Sequence, residues 1–206
     1  MKAKPQRIYL ASQSPRRREL LKQIGVNFEM LLLRNDPRRN VHVDETPLDG
    51  EDPAQYVQRV CRDKALAGWK TLGLRDLPLF PVLAADTTVT LDGKIIGKPD
   101  DYQHAAEILR LLSGTQHQVL TAVAIAFRDK LEMRLSATTI TFDTLSDERI
   151  HRYLLTNEAH DKAGAYGIQG YAGAFVKHID GSYTGVMGLP LYETVELLKL
   201  FGYPAP

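Results

Sequence analysis

Three consecutive arginines, Arg16, Arg17 and Arg18, follow Ser12-Gln13-Ser14-Pro15 at a point where a helix is expected to begin. Ser14 is a good N-cap, and Pro15 is the favoured first helical residue. The helix dipole puts its positive end there, so each cation costs roughly 0.3–1 kcal/mol unless something offsets it. Two arrangements relieve that cost. The arginines turn into water, or an anion binds at the turn, where free backbone N–H groups, serine hydroxyls and guanidinium forks converge on one phosphate. Carboxylates occur elsewhere in suggestive settings. Asp86 ends the apolar run Leu79–Ala85 and is followed by Thr87 and Thr88; Glu45 lies in a polar stretch over 34–52. Taken singly, an Asp after a strand is more often a turn former, and Glu45 is ambiguous. Together they suit Mg²⁺ or Mn²⁺, hard cations that take oxygen ligands. Lys64, Lys98 and Lys162 add scattered positive charge. Phosphates, a metal, a carboxylate and a water are the parts that phosphoanhydride hydrolysis needs.

Other chemistries lack their signatures. There is no GxSxG, and Cys61 falls inside a helical pattern, so nucleophilic catalysis has little support. The GxxxxGK[ST] and GxGxxG phosphate loops are absent, as are HExxH and CxxC, and the six histidines are scattered. One cysteine forbids an internal disulfide. Lys+Arg number 26 against 25 Asp+Glu, a net charge of +1, which argues against nucleic acid as a partner. No long apolar run points to a membrane, and the first four residues lack the features of a signal peptide, so a cytoplasmic location is expected.

Positioning such residues takes a mixed α/β framework. Ile8–Ala11 read as a buried strand, followed by a helix from Pro15 to Ile24 that stops at Gly25. Val26–Leu33 make a second strand, and the polar loop leads to a helix over Pro53–Lys70. Its apolar face (Val57, Val60, Cys61, Ala65, Gly68) carries Lys64 on or beside it. A buried strand is expected over Pro78–Ala85, ending at Asp86. Val89–Leu91 and Lys94–Ile96 flank the hairpin signal Asp92-Gly93. A helix over Asp101–Leu112, strands over His117–Phe127 and Leu135–Phe142, and a Ser146-capped helix to Leu155 come next. The stretch Asn157–Gly170 holds three glycines, the mark of backbone that something approaches closely. A strand over Ala174–Ile179, a hairpin signal at Asp180-Gly181 and a helix over Leu189–Phe201 complete the chain. One domain spans 1–206, without repeats or linkers.

Read together, Leu10-Ala11-Ser12-Gln13-Ser14-Pro15-Arg16-Arg17, Val43-Asp44-Glu45, Lys64-Ala65, Ala85-Asp86-Thr87, Gly97-Lys98-Pro99, Asp161–Gly170 and Gly188-Leu189-Pro190-Leu191 resemble the Maf family in order and spacing. Each motif is weak, whereas seven in order over nearly the whole chain are specific. The resemblance implies an elongated, twisted mixed sheet flanked by helices, with two lobes around a central cleft, similar to inosine triphosphate pyrophosphatases. It implies a nucleoside triphosphate pyrophosphatase that releases a monophosphate and pyrophosphate with divalent metal, Mg²⁺ or Mn²⁺. Asp86 would be the general base or a metal ligand, and Glu45 would join the metal site. Ser12, Arg17, Lys64 and Lys98 would hold the phosphates.

Within the family, Arg16 after Pro15, Thr87 after Asp86 and Gln169 in Gly-Ile-Gln-Gly resemble the subgroup acting on dTTP and UTP. The 7-methyl-GTP subgroup tends to carry Trp, Gln and Glu there. An amide offers a donor and an acceptor, and so pairs with N3–H and O4 of uracil or thymine. Modified pyrimidine nucleotides fall in the same class. The family resemblance also allows a homodimer and two rival roles: a nucleotide-binding regulator of cell division or septum formation, and a purine enzyme acting on inosine or xanthosine triphosphate. One departure from the family pattern is Ala159, where relatives commonly carry Pro after Glu158.

Overall fold

The computed structural model describes residues 7–33 and 43–204, so the start of the polar loop, 34–42, lies outside the described residues. In chain order the elements are β1 (Ile8–Leu10), α1 (Pro15–Gln23), β2 (Phe28–Met30), α2 (Pro53–Leu74), β3 (Val82–Leu91), β4 (Lys94–Ile96) and α3 (Tyr102–Leu112). These are followed by β5 (Gln116–Phe127), β6 (Lys130–Phe142), α4 (Asp147–Leu154), β7 (Val176–Asp180), α5 (Tyr183–Val186) and α6 (Leu191–Leu200). Short 3₁₀ turns occupy Ala163–Ala165 and Tyr171–Phe175.

Among the described residues seven strands form one mixed sheet in the order β2-β1-β3-β5-β6-β7, with β4 also on β3. β1 runs parallel to β2 and β3, and the remaining pairs are antiparallel. β5 covers one edge of β3 from Val82 to Thr90. The other edge is shared. β1 pairs with Val82 and Leu83, and β4 pairs with Val89 to Leu91. Between those two strands the edge of β3 over 84–88 faces a notch, and Asp86 and Thr87 sit in it.

Alternation along β3 decides which way each side chain points. Leu83 and Ala85 pack with Leu20, Leu21, Leu197 and Leu198 of α1 and α6. Val82 and Ala84 pack with Val57, Cys61 and Ala65 of α2. The same period puts Asp86 on the α2 face and Thr87 on the α1 face. A third apolar cluster, built on Val89, Val119, Ile140, Phe142, α3 and α4, fills the far end of the sheet. Met187 packs against both that cluster and the α1–α6 cluster.

Several boundaries differ from the expected ones, each for a local reason. β3 does not stop at Ala85; it runs through Asp86 to Leu91, because threonines 87, 88 and 90 suit a strand and Lys64 neutralises the buried carboxylate. β6 begins at Lys130, not Leu135. A two-residue turn at Arg128-Asp129 joins it to β5, with Arg128 at φ 58, a left-handed position that a glycine would have advertised. Asp180-Gly181 makes no hairpin and leads instead into α5. β2 is only three residues long, and α2 continues four residues past Lys70 to Leu74.

Candidate active site

The notch in β3 opens into a cleft of about 1170 Å³, and all nine residues singled out from the sequence line it: Ser12, Arg16, Arg17, Glu45, Lys64, Asp86, Thr87, Lys98 and Gln169. They fall into three groups. At one end, Ser14 caps α1 as expected, its hydroxyl accepting from the Arg17 amide at 3.4 Å. The Arg17 side chain does not splay into water. Its Nε donates to the Gly188 carbonyl at 2.8 Å, Nη1 to Ser12 Oγ at 3.1 Å and Nη2 to Thr87 Oγ1 at 3.3 Å. Burial pulls the Arg17 pKa down while the Asp86 carboxylate opposes that shift. A guanidinium stays charged throughout the physiological range regardless. Three of its five N–H groups are used, leaving two for a ligand. Arg16 lies 3.8 Å from Asp161 across the cleft, whereas Arg18 is exposed.

The second group straddles the notch. Lys64, four residues beyond Val60 on α2, extends its ammonium between Asp86 Oδ1 at 2.8 Å and Glu45 Oε2 at 2.9 Å. Asp86 is 7% exposed, and the Glu45 side chain is half exposed. Two acidic groups sharing one cation are the donor set a hard divalent ion takes with phosphate oxygens and water completing its shell. Among the described residues no group of three or more His, Cys, Asp or Glu side chains is arranged for a metal, so such a shell would depend on the substrate. Cys61 is a core residue; burial pushes its thiol up to about 12.

Residues missed by sequence reasoning hold Glu45 in place. Arg59, on α2, grips Glu51 with two bonds of 2.7 and 2.8 Å, and also donates to the carbonyls of Asp44 and Thr46 at 3.1 and 3.0 Å. Those bonds hold the Glu51 carboxyl down at about 2. The Tyr56 hydroxyl donates to the Glu45 carbonyl at 2.9 Å, and burial, with Asp86 and Glu45 nearby, pushes it up to about 12. No local pattern marks either residue, since each acts through main-chain atoms of a loop.

The third group is the opposite rim. Lys98 follows β4 and is exposed. The segment 157–170 supplies Asp161, Lys162, Tyr166 and Gln169. Its glycines do permit close approach. A Cβ on Gly164 (φ +72) would come within 2.8 Å of Val89 Cγ2. One on Gly170 would meet a Glu158 carboxylate oxygen at 2.1 Å, and that carboxylate accepts from the Tyr171 amide. Lys162 donates to Asp161 and to the Glu158 carbonyl. Behind Tyr166, its hydroxyl meets His117 Nε2 at 2.8 Å within an aromatic cluster that includes Phe142. Burial drives His117 down to about 4, so it is neutral near pH 7.

The chain is similar to known proteins along almost its whole length. The family model described as Maf-like protein matches residues 7–201. A dTTP/UTP pyrophosphatase of Nitrosomonas europaea is 56% identical over 195 residues, 95% of this chain and 94% of that protein. One from Dechloromonas aromatica is 56% identical over 96% of this chain and 98% of its own length, and one from Aromatoleum aromaticum 54% over 99% and 100%. Among solved structures, the Staphylococcus aureus Ham1 protein aligns over 95% of this chain and 97% of its own, with 15% identity and a TM-score of 0.49.

Proposed function

This chain belongs to the Maf family, and from that premise we propose that it hydrolyses dTTP and UTP to the nucleoside monophosphate and pyrophosphate. The observation that carries the reading is the convergence on one cleft of an arginine with two free N–H groups, a lysine bridging two carboxylates, and a separate polar rim. The names of relatives at 50–56% identity support the choice of substrate.

In this reading the triphosphate lies along the notch. Arg17, Ser12 and Lys98 bind its oxygens, the guanidinium through planar charge-assisted bonds. Ser12 Oγ already accepts from the Ser14 amide at 3.2 Å and from Arg17, so its own proton is left for a phosphate oxygen. Glu45 and Asp86 would hold Mg²⁺ or Mn²⁺, and such an ion, when bound, neutralises phosphate charge and makes the attacking water more acidic. Lys64 then has a phosphate to turn to in place of one carboxylate. Asp86, on the rigid strand, takes a proton from the water that attacks the α-phosphorus; Glu45, on the loop, serves mainly as ligand. Pyrophosphate departs against Arg17 and Lys98. Among the described residues no side chain in the cleft is set up as a nucleophile, which favours direct attack by water.

The base is read at the other rim. Gln169 presents both a donor and an acceptor, which matches O4 and N3–H of uracil or thymine. Arg16, 3.8 Å from Asp161 of that rim, contributes to the same selection. No helix among the described residues is long and apolar enough to cross a membrane, and the substrate is a free nucleotide. Hydrolysis in water labelled with heavy oxygen tests the reaction. The label is expected in the monophosphate. Label in the pyrophosphate, or release of orthophosphate, would contradict attack at the α-phosphorus.

A further inference from the structure

The phosphate end of the cleft hangs on a buried hydroxyl that the chemistry above leaves unused. Thr121, midway along β5, is fully buried and pairs with Thr87 in the ladder. Its Oγ1 lies 2.8 Å from the Gly185 carbonyl and 3.0 Å from Thr87 Oγ1. A threonine hydroxyl carries one proton. A carbonyl only accepts, and Thr121 is also the donor of the bond between the two threonines, so its single proton is shared between Gly185 and Thr87. Thr87 Oγ1 in turn accepts from Arg17 Nη2 at 3.3 Å. A guanidinium has no acceptor, so Thr87 meets it with a lone pair.

We propose that Thr121 is a positioning residue that holds Arg17 in its phosphate-facing pose. It acts along two routes. It anchors the Thr87 hydroxyl that accepts from Nη2, and it ties Gly185, hence the segment through Gly188, to the sheet. Gly188 supplies the carbonyl that receives Arg17 Nε. Two of the three anchors of the guanidinium therefore depend on one hydroxyl that touches no substrate. Ser12, the third, binds Nη1 alone, and a guanidinium held at a single nitrogen is free to swing in its own plane.

This inference rests on the phosphate reading of the cleft, and its test is chosen to be separable from the substrate assignment. Binding of inorganic pyrophosphate with Mg²⁺ is measured by calorimetry for the wild type, Thr121→Val, Thr121→Ser, Arg17→Lys and the Arg17→Lys/Thr121→Val double variant. Thr121→Val, which keeps shape and removes the hydroxyl, is expected to weaken binding about tenfold, the scale of one lost buried hydrogen bond. Thr121→Ser is expected to restore binding to within about twofold. In the Arg17→Lys background, Thr121→Val should cost less than about twofold further, because the pose it protects is already gone. Thr121→Ala carries the same expectations should the valine variant fail to fold. Wild-type binding by Thr121→Val, or an equal loss in both backgrounds, overturns the proposal. Failure of the wild type to turn over dTTP would instead sink the substrate assignment and leave the positioning role standing on the pyrophosphate data.

Discussion

Replacing Asp86 by Asn isolates the role of one carboxylate, because the two side chains share a shape and differ in charge. The cost to the fold is bounded by the geometry. Asp86 Oδ1 and Lys64 Nζ are 2.8 Å apart, a gross attraction of about 6 kcal/mol at an effective dielectric near 20. Desolvation of the largely buried pair cancels most of that. An amide oxygen can still accept from Lys64, and Lys64 keeps Glu45 at 2.9 Å. The net loss of stability should therefore be about 1–2 kcal/mol. Turnover should suffer far more. Loss of a general base at the reacting water lowers the rate by about 10²–10⁴. The assay is steady-state release of monophosphate and pyrophosphate from dTTP, paired with thermal melts and with pyrophosphate binding. The expected pattern is a folded protein that binds pyrophosphate nearly as the wild type does and turns over at least about a hundredfold more slowly. Turnover within about tenfold of wild type would refute the assignment of Asp86 as base.

Gln169→Glu removes the amide donor at the base-reading rim and is expected to lower kcat/KM for dTTP by about tenfold while changing other nucleotides less; an unchanged base profile ends the proposed role of Gln169. Arg59→Ala releases the loop that carries Glu45, with Glu51 and two carbonyls losing their partner. Turnover should fall about tenfold through misplacement of Glu45. Melts should confirm that the variant is folded, and wild-type turnover would show that Glu45 needs no such support. Acid stability should reflect His117, which protonates near 6.5 when unfolded and only near 4 in the fold. The unfolded state thus binds a proton that the folded state refuses, and stability falls as pH drops from 6.5 to 4. At about 1.4 kcal/mol for each pH unit of that gap, the loss approaches about 3 kcal/mol. Denaturant titrations should show a shallower acid slope for His117→Gln, and parallel slopes would refute the linkage.

The sequence exposed this site unevenly, and the reasons are physical. Local signals survived well. Ser14 and Pro15 announced α1, and Asp92-Gly93 announced the β3–β4 turn, because caps and turns depend on adjacent residues. Arg16 and Arg17, crowded at a helix start, both line the cleft. What no local pattern carries is pairing across the chain. The cleft exists because β1 and β4 meet one edge of β3 at its two ends, and nothing near Asp86 reports that. The same limit hid Arg59, Tyr56 and Thr121, whose partners are 8 to 64 residues away, mostly main-chain oxygens. It also hid which partners Arg16 and Arg17 take. Thr87 is bonded to Arg17, and Arg16 faces Asp161.

The most direct test of the central claim is a panel of nucleoside triphosphates presented to the purified protein with Mg²⁺ or Mn²⁺, scored for both products. We expect dTTP and UTP to give the highest kcat/KM, with monophosphate and pyrophosphate appearing in equal amounts. Preference for inosine or xanthosine triphosphate, or binding of dTTP without turnover, would contradict it.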